Sequence, residues 1–226
     1  MTDTTIYVVT SDEARNGKSL FARFLIDYLM LAKRNPIVFD AGWPHQNMKE
    51  RWAGRTLAAD FSKVQGQMAF FDRVLGMPPR DSVLDLSWRD LERFLSLAVD
   101  IDFRHELAAK GLRLELFFVE TPSLESRRLL ERIRAMRLFH AMHFLRPAMV
   151  KGRPFSVLKL RETAIVIPEL SPTLVTRIER PGFSVEAFLR GRPQGLNFFE
   201  AQELEAFLDK VMGGIDAILT RETSRR

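Results

Sequence analysis

The 226-residue chain contains no cysteine. That excludes disulfides, zinc–thiolate centres, iron–sulfur clusters and cysteine nucleophiles. No apolar run approaches the ~20 residues that a membrane-spanning helix needs. The opening Met1-Thr-Asp-Thr-Thr has neither the basic start nor the apolar stretch of a signal peptide. There is no internal repeat, low-complexity segment or convincing linker, so a single domain over 1–226 with a flexible basic tail at about 221–226 is the economical expectation, and a soluble, cytoplasmic protein with no membrane partner is the default. What is present is ordinary for a globular domain: 46 % hydrophobic and 28 % charged residues. The net charge of +5 leans weakly toward acidic partners.

Apolar, β-branched runs alternate with stretches of helical spacing. Ile6–Thr10, Ile37–Phe39, Ser82–Leu86, Leu112–Val119, Ala141–Leu145 and Ala164–Ile167 read as strands. Lys18–Lys33, Leu57–Leu75, Trp88–Asp102, Ser123–Leu138, Leu174–Arg180 and Asn197–Leu219 read as helices, the last weakened by Gly213-Gly214. This alternation predicts an α/β fold of three layers, a mostly parallel sheet with helices on both faces.

The strongest motif lies between the first strand and the first helix: Ser11-Asp-Glu-Ala-Arg-Asn-Gly-Lys-Ser19. Gly17-Lys18-Ser19 fits the second half of the phosphate-binding pattern of Gly, four residues, then Gly-Lys-Ser/Thr. Gly17 lets the backbone turn its N–H groups toward phosphate oxygens, Lys18 brings charge to the β- and γ-phosphates, and the Ser19 hydroxyl can ligate Mg²⁺. The first half departs, with Asp12 at the position of the first glycine and Glu13 after it. The alternative is a helix start in which Lys18 and Ser19 are merely exposed. Asp40 and Asp85 end two of the expected strands. In an open parallel sheet that edge binds ligands, and with Ser19 the two carboxylates would form a magnesium centre; the alternative for each is a helix or loop cap.

With these motifs the chain resembles the ParA/MinD-like P-loop ATPases from Ile6 to about Gly182. Glu13-Ala-Arg-Asn-Gly-Lys-Ser19 falls where that family has Lys-Gly-Gly-x-Gly-Lys-Thr/Ser. Pro36-Ile-Val-Phe-Asp-Ala-Gly-Trp-Pro-His-Gln-Asn47 looks like its second strand, Ser82-Val-Leu-Asp-Leu-Ser87 like its Walker B strand, Leu116-Phe-Phe-Val-Glu-Thr-Pro-Ser123 like the strand that follows, and Ile165-Val-Ile-Pro168 like the late strand near the base pocket. The resemblance implies a P-loop NTPase fold and ATP with Mg²⁺ as cofactors. It implies Asp12, Glu13, Ala14, Arg15, Asn16, Gly17, Lys18, Ser19 and Leu20 as the nucleotide-binding loop, Lys18, Asp40 and Asp85 as catalytic residues, and Ser19, Asp40 and Asp85 around the metal. Asp40 inherits the positioning of the attacking water, and Asp85 a carboxylate behind the magnesium.

Three departures stand out. Glu13 replaces the signature lysine that reaches across the family's ATP-sandwiched dimer, so a homodimer activated in that way is in question. Ala14 and Arg15 replace the first two glycines of the loop. Leu145-Arg146-Pro147 stands where an adenine-reading Asn is expected. The resemblance implies a nucleotide-dependent switch, hydrolysing ATP weakly or atypically, for partitioning, positioning or assembly of a cargo. A nucleotide-poor adaptor, or a small-molecule kinase with Arg146–Arg153 as its lid, are the alternatives.

Elsewhere, residues 120–153 carry eight arginines and lysines (Arg127, Arg128, Arg132, Arg134, Arg137, Arg146, Lys151 and Arg153) against three glutamates. Non-specific DNA binding through Arg127–Arg153 and a plain solvated helix face both account for them. The spacing of His45, His105, His140 and His143 does not read as a metal site. Trp43 and Trp52 read equally as a lid or as packing. The acidic first half of the last helix (Glu200, Glu203, Glu205, Asp209) is wrong for an anionic bilayer, so that helix is expected on the sheet.

Overall fold

The computed structural model describes residues 4–14, 16–41, 48–148, 162–192 and 194–224. The elements in chain order are β1 (Thr4–Ser11), α1 (Lys18–Leu31), β2 (Ile37–Asp40), α2 (Met48–Arg51), β3 (Thr56–Ala58), α3 (Val64–Gly76), β4 (Ser82–Asp85), α4 (Leu91–Asp100), α5 (Phe103–Ala109), β5 (Leu112–Val119), α6 (Leu124–Met136), β6 (Ala141–Pro147), β7 (Glu162–Ile167), α7 (Pro172–Ile178), α8 (Val185–Leu189) and α9 (Phe198–Ser224). Seven strands form one sheet in the order β3-β2-β4-β1-β5-β6-β7. Every pairing is parallel.

Side-chain alternation along each strand sorts the core into two layers. Ile6, Val8, Phe39 and Leu84 pack with Phe70, Phe71, Phe94 and Phe103 beneath α3 to α5. Tyr7, Val9, Val38 and Val83 pack with Phe21, Phe24, Leu25 and Leu29 of α1 and with Phe207, Val211 and Ile215 of α9. The result is the expected three-layer α/β arrangement. It places the loops after β1 and β4 side by side. The chain leaves β1 in one direction across the sheet and leaves β4 in the other, so a crevice opens between their carboxyl ends, the usual ligand position in such sheets.

Several elements differ from the sequence expectation. The stretch from Leu57 is not one helix: Thr56–Ala58 pairs with β2 as an edge strand, and α3 starts only at Val64. The expected helix from Trp88 to Asp102 is α4, Leu91–Asp100, and after Asp102 takes a positive φ a further, unanticipated helix, α5, follows from Phe103. α8 was not anticipated; Ser184 caps it by accepting the Ala187 N–H. Gly213-Gly214 does not interrupt α9, whose backbone runs on to Ser224. Gly214 is a point of close approach, where a Cβ would lie 2.9 Å from Ile165 Cγ2 of β7.

Candidate functional site

The loop after β1 turns into α1 at Gly17, which has φ +87°, and the Phe21 N–H donates to the Gly17 carbonyl at 2.9 Å. A Cβ at Gly17 would meet nothing within 4 Å, so the glycine is there for its backbone angle and not for close packing. No side chain caps α1 and no acidic residue sits in its first turn. The first N–H groups of a helix have no partner within it, and they carry the positive end of its dipole. Beside them, both polar atoms of the Asn16 amide are buried with no hydrogen-bond partner. Glu13, Ala14, Asn16, Gly17, Lys18, Ser19 and Leu20 line one end of a cleft of about 750 Å³. Arg15 lies outside the described residues.

The two acidic residues of the loop part company. Asp12 turns toward the β5–α6 connection, where its Oδ2 accepts from Thr121 Oγ1 at 2.6 Å, and it does not line the cleft. Glu13 does line it and is exposed.

Lys18, Ser19 and Asp85 meet. The Lys18 ammonium donates to Asp85 Oδ1, with side chains 12 % and 4 % exposed, and to Ser19 Oγ at 3.1 Å. Asp40 and Asp85 are register partners on β2 and β4, so they leave the sheet side by side on the α1 face. Asp40 is also a cap, its Oδ2 accepting the Met48 N–H at 3.1 Å. Both aspartates are buried. One hydroxyl and two carboxylates make an all-oxygen donor set. That suits Mg²⁺, a hard cation that takes few protein ligands and completes its shell with water and phosphate. Among the described residues no three His, Cys, Asp or Glu side chains group as a metal site.

The far end of the cleft is built by the end of β6, the exit from β7 and α7: Pro147, Ile167, Pro168, Leu170 and Val175, with Thr176, Glu169 and Glu179. Ser171 caps α7 by accepting the Leu174 N–H, and Glu203 of α9 holds the Ser171 hydroxyl at 2.8 Å and its N–H. Trp88, 40 % exposed with Arg89 against its ring, forms part of the rim. Of this end, Pro147, Ile167 and Pro168 lie in the segments Leu145-Arg146-Pro147 and Ile165-Val-Ile-Pro168 that the sequence singled out. The Ser171-Pro172 helix start was the signal available for the rest. Among the described lining residues the charged groups are Glu13, Glu169 and Glu179 against Lys18.

The basic stretch is mostly answered by acids. Arg127 pairs with Glu131, Arg132 with Glu92, Arg134 with Glu162 and Arg146 with Glu120. Lys151 and Arg153 lie outside the described residues, as do Trp43 and His45. Trp52 is buried packing. His140 Nδ1 accepts the Leu114 N–H, and His143 is buried between Glu115 and Thr163, at 3.2 and 2.7 Å. α9 packs as expected, with Phe207 5.0 Å from Phe24 of α1.

No family model and no curated protein matches this chain. Among solved structures, a nucleotide-binding protein from Archaeoglobus fulgidus in complex with ADP is 10 % identical, with a TM-score of 0.47, over 78 % of this chain and 88 % of that one. A ParA family ATPase from Chlorobium tepidum is 13 % identical, with a TM-score of 0.42, over 94 % of this chain and 98 % of that one. At these values the likeness assigns neither residues nor activity.

Proposed function

We propose that the chain binds ATP with Mg²⁺ in the cleft and works as a ParA/MinD-like nucleotide-dependent switch. The observation that carries this reading is the uncapped start of α1. A left-handed Gly17, free helix N–H groups and Lys18 open onto a cleft whose volume suits a nucleotide. Glu13, Ala14 and Asn16–Leu20 would hold the phosphates, and the apolar end made by Pro147, Ile167, Pro168, Leu170 and Val175 would take the base. Ser19, Asp40 and Asp85 hold the metal, which when bound neutralises phosphate charge. Lys18 leaves Asp85 for the β- and γ-phosphates, so nucleotide entry trades an internal ion pair for an external one. That exchange is the physical core of the switch.

The three carboxylates around the cleft make the metal obligatory for binding. Glu13, at the place of the family's dimer-bridging lysine, makes hydrolysis slow. The cargo is a partitioning, positioning or assembly partner. The adaptor reading has one observation in its favour, that Asp85 already neutralises Lys18. For the kinase reading, Arg146 is held by Glu120 and so is not a free lid residue.

Calorimetric titration with ATP, ADP and GTP, with and without Mg²⁺, tests this. The expected result is heat from ATP and ADP only when Mg²⁺ is present, and none for Lys18→Ala. Identical thermal shifts of the wild type and Lys18→Ala with ATP–Mg²⁺ would reject the switch and favour the adaptor.

A further inference from the structure

α2 is one turn long, and a helix of that length has no stability of its own. Its ties to the rest of the molecule therefore decide where it sits. At its start the Met48 N–H donates to Asp40. From β3 the Thr56 hydroxyl shares its proton between the Met48 and Trp52 carbonyls, at 3.2 and 3.0 Å. Arg51 supplies the remaining ties. One Nη donates to Asp27 Oδ2 of α1 at 3.2 Å and the other to the Ile178 carbonyl at the end of α7 at 2.9 Å. The guanidinium also lies over the Trp52 and Phe183 rings, at 5.2 and 5.5 Å from their centroids.

This cluster is costly. The Arg51 and Asp27 side chains are only 7 % and 12 % exposed. Burial pushes the Asp27 carboxyl up to about 6, although Arg51 and Arg23 both pull it down. Arg23, on the same side of α1, faces Glu179 of the cleft at 3.7 Å, with its Nε and Nη1 lacking hydrogen-bond partners. The charged groups converging here are Arg23 and Asp27 from α1, Arg51 from α2, Glu179 from the end of α7 and Glu186 from α8. A buried pair whose desolvation outruns its attraction adds little stability, and broken local rules concentrate at functional sites.

We infer that Arg51 is a positioning residue that couples the base end of the cleft to its carboxylate end, pinning α2 between α1 and α7 so that α2 holds Asp40 beside Asp85. The consequence for turnover rests on the nucleotide reading above; the pinning of α2 does not. A ligand that shifts the end of α7 moves the carbonyl on which Arg51 rests, and with it the N–H that orients Asp40.

The experiment is site-resolved hydrogen exchange on the full ligand-free chain, followed by ATP turnover, for wild type, Arg51→Met, Arg51→Lys and Asp27→Asn. In Arg51→Met the Met48, Trp52 and Glu179 amides are expected to exchange about tenfold faster or more, with the β1 and β4 amides unchanged. Arg51→Lys is expected to recover only part of the protection, because an ammonium cannot fork to both partners. In turnover, kcat falls about tenfold with KM within about threefold, as for a group that orients a reacting carboxylate. In the wild type the protection of α2, corrected for intrinsic rates, steps down as the pH rises through about 6, where the buried Asp27 carboxyl ionises. In Asp27→Asn, which keeps the shape of the site if Arg51→Met does not fold, that step is absent. Unchanged exchange at Met48, Trp52 and Glu179 in Arg51→Met overturns the inference, as does a proportional change in kcat and KM that Arg51→Lys does not relieve. A wild type that binds no nucleotide rejects the functional reading alone, and exchange at α2 and α7 then decides the coupling.

Discussion

The ammonium of Lys18 is answered by Asp85 and not left open to solvent, which sets two expectations at the scale of single residues. Lys18→Met strands a buried carboxylate and is expected to cost about 3–5 kcal/mol in chemical denaturation, most of it recovered when Asp85→Asn is added. Nucleotide heat is lost in both variants, so stability and binding separate in one double-mutant cycle. Asp27 gives a second expectation. Its folded-state carboxyl titrates near 6 instead of 3.8, so its contribution to stability is present below about pH 4 and is lost as the pH rises through 6. A shift of that size corresponds to about 3 kcal/mol. Denaturation midpoints of the wild type therefore carry a falling component from pH 4 to 7 that Asp27→Asn removes. Of these residues, Gly17-Lys18-Ser19 were singled out from type and position alone, and the left-handed turn at Gly17 and the start of α1 at Lys18 fall where the sequence placed them, because a turn into a helix is set locally. The turning of Asp12 away from the cleft was not, since it depends on a hydroxyl 109 residues away.

Elements whose pattern is set by their own residues were readable, and those set by neighbours were not. β5 carries Leu112, Leu114, Leu116 and Phe118 on one face, with Phe117 and Val119 on the other, and matches its expected span, Leu112–Val119, residue for residue. β3 has three residues inside a stretch of helical spacing and is a strand only because β2 offers it an edge. Two glycines show the same contrast in the helices. Gly66 sits in α3 where a Cβ would fall 2.0 Å from the Asp60 carbonyl oxygen, while at Gly213 in α9 it would meet nothing within 4 Å. Gly66→Ala is expected to lower stability by about 1–3 kcal/mol through forced backbone movement. Gly213→Ala is expected to raise it by about 0.5–1 kcal/mol through helix propensity and a less flexible unfolded chain. Thermal or urea unfolding of the two variants reads both signs.

Across the whole molecule the net charge of +5 says less than its distribution. Eight free arginines and lysines on one surface would give a slope of log affinity against log salt of about −7 on duplex DNA. With Arg127, Arg132, Arg134 and Arg146 each beside a glutamate, the expected slope is no steeper than about −4. Retention on duplex measured between ~50 and ~200 mM salt checks it. The strand order also governs how the chain is assembled. β1 lies between β4 and β5 and completes its pairing only when residues 112–119 are available. Such distant partners make for slow folding. During synthesis the apolar Ile6–Val9 gains its first neighbour only when residues 82–85 have emerged and its second only after residues 112–119 follow, which makes this strand a natural client for chaperones that shield nascent chains.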